Sequence, residues 1–227
     1  MDEPEILYED EDIIAVAKPA GMFVHASPGH EKGTLAQWLV ERFPEMADVG
    51  SVQRPGIVHR LDAETSGVMV AARTQRAYAA LRKMFEAHAG IVKRYLAVMH
   101  GAPEPKKGTV RNMIGRKPWD RIRMAVGGLG GKVAVSHYET LAVKGGVALV
   151  EWTIETGRTH QIRVHAAHLG HPVAGDTLYG DAAKDARMRR RPQRQLLHAV
   201  QLEMRHPFTG EMMVVTAPVP EDVMHCI

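Results

Sequence analysis

Ile13-Ile14-Ala15-Val16-Ala17 is an unbroken apolar run of strand length, halted by Lys18-Pro19 and Gly21. A run this short, bounded by such breakers, reads as a buried strand. Similar signals return far along the chain, at residues 68–72, 94–100, 133–143 and 147–155, the last two joined by a Lys144-Gly145-Gly146 turn. Residues 195–205 and 211–217 read as a closing hairpin around Pro207 and Gly210. Helical spacing is rarer. Thr34 caps a helix carrying Leu35, Trp38, Leu39 and Phe43, which ends at Pro44. Thr74 caps a second, with Ala77, Leu81, Met84 and Phe85 on one side and Gly90 as its stop. Thr159 caps a short third helix ending near Gly170, and residues 44–58 read as a loop. Strands from distant parts of the chain with few helices predict an α+β fold, not βαβ alternation.

With 227 residues, 45% hydrophobic and 24% charged, the chain can bury a core, which excludes a disordered or collagenous protein. One cysteine, Cys226, excludes an internal disulfide and a multi-cysteine zinc site, and points to a reducing compartment. Met1 is followed by Asp2, Glu3, Pro4 and Glu5, the reverse of a basic signal-peptide start. No apolar run approaches the roughly 20 residues of a membrane span. A soluble cytoplasmic protein is expected. The net charge is +3, but residues 1–12 hold seven acidic side chains and no basic ones. Removing those seven negative charges leaves a body of +10, suited to facing a polyanion.

Three stretches are polar for their setting. Residues 56–67, Gly-Ile-Val-His-Arg-Leu-Asp-Ala-Glu-Thr-Ser-Gly, put charges beside a strand on a loop fixed by Gly56 and Gly67. Asp62 there is either a catalytic carboxylate or a turn residue accepting backbone hydrogen bonds. Residues 155–165 bring Arg158, His160, Gln161, Arg163 and His165 to a helix start, which reads as an anion site or a solvated polar turn. His198 lies within an apolar run, where a hydrogen-bonded core histidine reads as well as a functional one. His160, His165, His168 and His171 invite a zinc reading, but no H-E-x-x-H occurs and His171 lies beyond the helix. Other motifs fail on detail. His59-Arg60-Leu61-Asp62 lacks a kinase's Gly-rich loop and D-F-G. Gly127-Gly128-Leu129-Gly130-Gly131-Lys132 is too short for a P-loop and reads as a flexible turn. Ser66 lacks the glycine two places earlier that a nucleophile elbow needs.

Taken in order, these pieces resemble the RluA-type RNA pseudouridine synthases. Lys18-Pro19-Ala20-Gly21-Met22 with Val24-His25 looks like the family's first motif, and residues 56–67 like the second. Lys93-Arg94-Tyr95, residues 156–165, Gly170-His171-Pro172, Gly175-Asp176, Tyr179-Gly180, Leu197-His198-Ala199 and residues 206–211 follow in the expected order. The resemblance runs from Ile6 to about Pro220. It implies a single catalytic domain over 1–227, built on a bent mixed, mostly antiparallel sheet in two halves with flanking helices and a central cleft. It is similar to the large-subunit rRNA branch but without that branch's N-terminal RNA-binding module.

The resemblance implies that Asp62, Tyr95 and Arg163 are catalytic. Leu197 lines the base pocket, and no cofactor or metal takes part. The expected reaction is isomerisation of uridine to pseudouridine in RNA, rRNA ahead of tRNA, with no obligate protein partner. Asp62 acts as nucleophile, by taking a ribose proton, or by stabilising charge on the sugar, and the sequence leaves these open. Arg163 is the expected cation beside it. Arg60 is expected to hold a phosphate or fill the gap left by an extruded base, with His59 beside it. Arg111, Arg116, Lys117, Arg121 and Arg123 surround Trp119 as an RNA grip, and Arg187, Arg189, Arg190, Arg191 and Arg194 form a second basic cluster. A non-catalytic RNA-binding protein on the same scaffold is the alternative.

Overall fold

The computed structural model describes residues 3–88, 90–120 and 122–226. The chain runs through β1 (Glu5–Glu9), β2 (Ile13–Lys18), α1 (Leu35–Arg42), a 3-10 turn (Pro44–Asp48), β3 (Gly50–Ser51), β4 (Arg54–Pro55), β5 (Ser66–Ala72) and α2 (Gln75–Ala87). It continues through β6 (Ile91–His100), β7 (Lys107–Arg116), β8 (Met124–Val126), β9 (Leu129–Lys144), β10 (Val147–Ile154), α3 (Gln161–His168) and α4 (Ala182–Asp185). It closes with β11 (Leu197–Arg205), β12 (Met212–Thr216) and α5 (Glu221–Met224). The expected fold class holds: this is an α+β chain of mixed, mostly antiparallel sheet with flanking helices. Two compact units divide it. The first joins Met1–Val92 to Ala199–Pro218, and the second joins Lys93–His198 to Val219–Ile227. No helix among the described residues is long and apolar enough to cross a membrane.

In the first unit β2 pairs antiparallel with β5, from Ile13 opposite Ala72 to Lys18 opposite Gly67. Every residue of β5 is buried, which explains why its sequence is a continuous apolar run and not an alternating one. The core gathers Ile13, Ala15, Val68, Val70, Leu81 and Phe85 with Leu202, Met204, Met213 and Val215 from the β11–β12 hairpin. Thr34 and Thr74 cap α1 and α2 as expected, each accepting an amide hydrogen bond three residues on. His88, in the left-handed conformation, caps the end of α2, two residues before the expected stop at Gly90. The expected loop over 44–58 contains the 3-10 turn and the small β3–β4 ladder. Part of the acidic N-terminal segment is spent internally. Asp12, 5% exposed, takes two hydrogen bonds from Arg76 at 2.8 and 2.6 Å and one from Thr74 at 2.6 Å. Arg76 holds the Asp12 carboxyl below its ordinary pKa.

The second unit orders its strands β6-β10-β9-β7-β8. The Gly145-Gly146 turn has positive φ at both residues, which fits a tight hairpin between β9 and β10. The glycine run at 127–131 begins as the expected turn, with Gly127 and Gly128 joining β8 to β9. It enters β9, and Gly115 and Gly128 pack backbone to backbone, where any Cβ would collide with a carbonyl. The third helix starts at Gln161 with His160 as its N-cap in the left-handed conformation, so Thr159 does not cap it.

Candidate active site

In the first unit, the loop carrying Asp62 is held from several directions. Lys18 is 1% exposed, and its ammonium donates to the carbonyls of Pro19 at 2.7 Å, Met22 at 2.9 Å and Ala63 at 2.9 Å. The Gly21 amide reaches the Ala63 carbonyl at 3.0 Å, in a conformation with φ of 83° that suits glycine. Thr65 N–H donates to the Asp62 carbonyl at 3.1 Å, closing a turn. Gly67 follows with φ of 116°, packed so tightly on the Ala199 backbone that a Cβ has no room. Asp62 itself is half-buried on this fixed loop.

His59 and Arg60 lie on the same loop with different surroundings. His59 Nε2 accepts the Val70 amide at 2.9 Å, and its ring stacks on Phe85 at 4.4 Å. Those contacts anchor the loop to β5 and α2. Arg60 is exposed. Burial, with the charges of Arg54 and Arg60, pushes the pKa of His25 down, so that imidazole is neutral at pH 7.

In the second unit, Tyr95 is 9% exposed in the middle of β6, opposite Trp152 of β10. Arg163 sits in α3, 5% exposed. Its Nε donates to Asp176 Oδ2 at 2.7 Å and its Nη2 to Asp176 Oδ1 at 2.8 Å. Asp176 also accepts the amides of Leu178 and Tyr179 at 2.9 and 3.0 Å. The Tyr179 ring lies 5.1 Å from the Arg163 guanidinium. This planar fork on a carboxylate fixes the orientation of Arg163. Sequence reasoning counted Asp176 as part of a motif and missed its grip on Arg163.

The α3 start is partly closed: Glu155, Gly157 and Thr159 are exposed and Arg158 is half-buried, but Gln161 and His165 are buried and bonded internally. Gln161 accepts from Thr156 at 2.7 Å and from the Arg158 amide at 3.0 Å, and donates to Val135 at 3.0 Å and Ser136 at 2.8 Å. His165 is fully buried between Ser136 Oγ at 2.9 Å and Asn112 Oδ1 at 3.0 Å. Burial, with His168 adding to it, lowers its pKa to about 4. His171 bonds the His100 carbonyl instead. His198 is 1% exposed, within the apolar run that the sequence marked, and Leu197, 4% exposed, starts β11.

Arg116 and Trp119 lie at the tip between β7 and β8. Trp119 is fully exposed, with φ of 62°, and does not pack on its own strand. Asp120 ties the tip by accepting the amides of Ile122 and Arg123, both at 2.9 Å. Arg116 is exposed, and Arg121 lies outside the described residues. The Met124 amide donates to Tyr179 Oη at 2.7 Å, so the hairpin is bonded to the residue lying under Arg163. Arg194, counted in the second basic cluster, is 9% exposed and gives Asp222 two hydrogen bonds, at 2.7 and 2.9 Å. It is a structural arginine.

The chain matches the RNA pseudouridylate synthase family over residues 12–168. It belongs to that family. It is 45% identical over 227 residues to the ribosomal large subunit pseudouridine synthase D of Xylella fastidiosa, covering 96% of this chain and 67% of that one. It is 46% identical over 206 residues to an RNA pseudouridine synthase of Chloroflexus aurantiacus, covering 91% of this chain and 63% of that one. The solved structure of human RNA Pseudouridylate Synthase Domain Containing 1 matches with a TM-score of 0.78 at 29% identity, covering 99% of this chain and 87% of that one. Several of these family members are longer. The chain spans 65% of a Synechocystis relative and 60% of a Neisseria meningitidis one.

Proposed function

We propose that this chain converts uridine in RNA to pseudouridine, with Asp62 as the essential carboxylate. The observation that carries the reading is the fixing of the Asp62 loop by Lys18, Gly21 and Gly67, inside the region that matches the family. A carboxylate on a rigid loop is pre-organised for a single task at one sugar. The reaction breaks the N1–C1′ bond, turns the uracil and joins C5 to C1′. It involves no net redox change. Asp62 serves it as a nucleophile at the sugar, as a base toward a ribose proton, or as a charge stabiliser. Tyr95 offers a flat face to the uracil and a hydroxyl near the reacting carbons. Arg163, oriented by Asp176, supplies the fixed positive charge, and Leu197 an apolar wall. Arg60 and the Arg116–Trp119 hairpin take RNA backbone and exposed bases.

Relatives named for the ribosomal large subunit support rRNA as the substrate. The single cysteine supports action in the reducing cytoplasm, where rRNA is made. The test is tritium release from RNA labelled at uridine C5, with pseudouridine mapping of rRNA and tRNA from cells with and without the gene. The wild type should release tritium. Asp62→Asn, which keeps the shape and removes the charge, should release none while keeping most of its RNA affinity. Substantial turnover by Asp62→Asn removes Asp62 from the chemistry.

A further inference from the structure

Lys93, the first residue of the second unit, is 8% exposed. Its cross-strand neighbour in β10 is Ile154, which offers it nothing polar. Among the described residues no carboxylate pairs with its ammonium and no acceptor bonds it. The charge that reaches it is another cation, Arg158, and burial together with that cation pulls its pKa from 10.5 to about 8. Lys93 therefore stays mostly protonated at pH 7, a buried positive charge beside a second one. Buried charges ordinarily come with a counter-ion, because desolvation without one is expensive.

Arg158 is equally short of one. It projects from the segment between β10 and α3, its Nε donating to the Val133 carbonyl at 2.9 Å, and no carboxylate pairs with it among the described residues. It lines a groove of about 370 Å³ together with Arg116 and Lys132, and no acidic residue is in that lining. The nearby acidic groups are engaged elsewhere. Glu155 pairs with His137 at 2.8 Å, and Arg94, on the opposite face of β6, lies 3.8 Å from Glu151. Residues two apart on a strand share a face, so Lys93 and Tyr95 project from the same side of β6.

We propose that Lys93 and Arg158 hold a backbone phosphate of the RNA, adjoining the nucleotide that meets Tyr95. The proposal rests on reading the chain as a pseudouridine synthase. A phosphate supplies the missing negative charge, and its several oxygens accept from an ammonium and a guanidinium together. The further cations along the groove, Arg116 and Lys132, suit a ligand with repeated anions, as a nucleic acid strand has and a single small anion has not.

The experiment measures binding of decauridylate across a salt series by the wild type, Lys93→Met, Lys93→Arg and Arg158→Gln, each checked for native circular dichroism. Releasing one phosphate of a single strand should flatten the log–log salt slope by about 0.7, which is about fivefold weaker binding at 0.1 M salt relative to 1 M. Lys93→Met and Arg158→Gln should both show that change, and Lys93→Arg should restore the slope. An unchanged slope in folded Lys93→Met overturns the proposal, as does a flattened slope that Lys93→Arg leaves flat. If Lys93→Met fails to fold, Arg158→Gln decides by the same slope. No binding by the wild type at low salt also overturns it. The slope is read without turnover, so a flattened slope in a protein that makes no pseudouridine upholds the phosphate site and sinks the synthase reading. Lost turnover with an intact slope does the reverse.

Discussion

Arg163 and Asp176 form a two-pronged ion pair, 2.7 and 2.8 Å, with side chains 5% and 0% exposed. The sequence nominated Arg163 as the cation for Asp62, and the structure adds a second carboxylate, in the same unit, that sets its angle. Asp176→Asn therefore removes the charge that holds the guanidinium and leaves Arg163 buried with less compensation. Breaking a buried pair from one side destabilises by about 3–5 kcal/mol. Arg163→Ala should fall in that range, measured by urea unfolding, since Asp176 then keeps only the two amide donors. Asp176→Asn should lose turnover more steeply than RNA affinity, because it disorders a positioning group and leaves the exposed Arg60 and Arg116 in place. Turnover equal to the wild type in Asp176→Asn contradicts that positioning role.

His165 makes the fold sensitive to acid. Its pKa falls from an unfolded value near 6.5 to about 4 in the folded state, chiefly through burial. The unfolded chain binds the extra proton between those values, so stability is full above the unfolded pKa and drains as pH drops toward 4. This single group should cost about 2 kcal/mol between pH 7 and pH 5. His165→Gln should be less stable at pH 7 but should show a visibly shallower loss on acidification, read from urea midpoints at the two pH values. An equally steep loss in the variant assigns the acid sensitivity to other groups.

Arg116→Ala with Lys117→Ala should weaken RNA binding and reduce its salt slope by about 0.7 for each phosphate of a single strand that is no longer held. Both side chains are exposed at the β7–β8 tip, so unfolding should shift by less than about 0.5 kcal/mol. Trp119→Ala should weaken binding by about 1–3 kcal/mol if an unpaired base stacks there, with little change of slope. Unchanged affinity in both variants moves the RNA path off this hairpin.

Gly67→Ala should be among the most damaging single-methyl changes in the chain. The added carbon meets the Ala199 backbone, which cannot swing aside as a side chain can, and φ of 116° is strained for alanine. We expect loss of soluble, cooperatively unfolding protein. Gly21→Ala, also at positive φ but in open space, should be milder and serves as the control.

Much of this fold was legible because the sheet strands most completely buried are also the most uniformly apolar. β2, β5 and β10 announced themselves, and Thr34 and Thr74 marked two helix starts. β7 was missed because one side of it faces water and its exposed Lys107, Thr109 and Arg111 dilute the apolar signal. His160 defeated the expected cap at Thr159 by taking a left-handed conformation that nothing local in the sequence demands. Asp62, Tyr95 and Arg163 were found through ordered motifs. Lys18, Asp176 and Lys93 were not assigned parts, because their meaning depends on what lies opposite them. Lys18 looks like a strand-ending charge until its three carbonyl partners are seen.

The first unit is written in two separated stretches of chain. Its core needs Leu202, Met204, Met213 and Val215, and these follow the long Lys93–His198 stretch of the second unit in sequence. A ribosome making this protein therefore delivers the Asp62 loop early and its β11–β12 backing late. Until then Ile13, Val68 and Val70 lie against an unfinished core, a sticky surface waiting for its cover. Domains generally fold as units during synthesis, N-terminal first. Here the unit that includes the N-terminus is not complete until Pro218, close to the end of the chain. Slow translation through residues 93–198 prolongs that exposure, and a nascent chain stalled before residue 199 cannot complete the unit that carries Asp62.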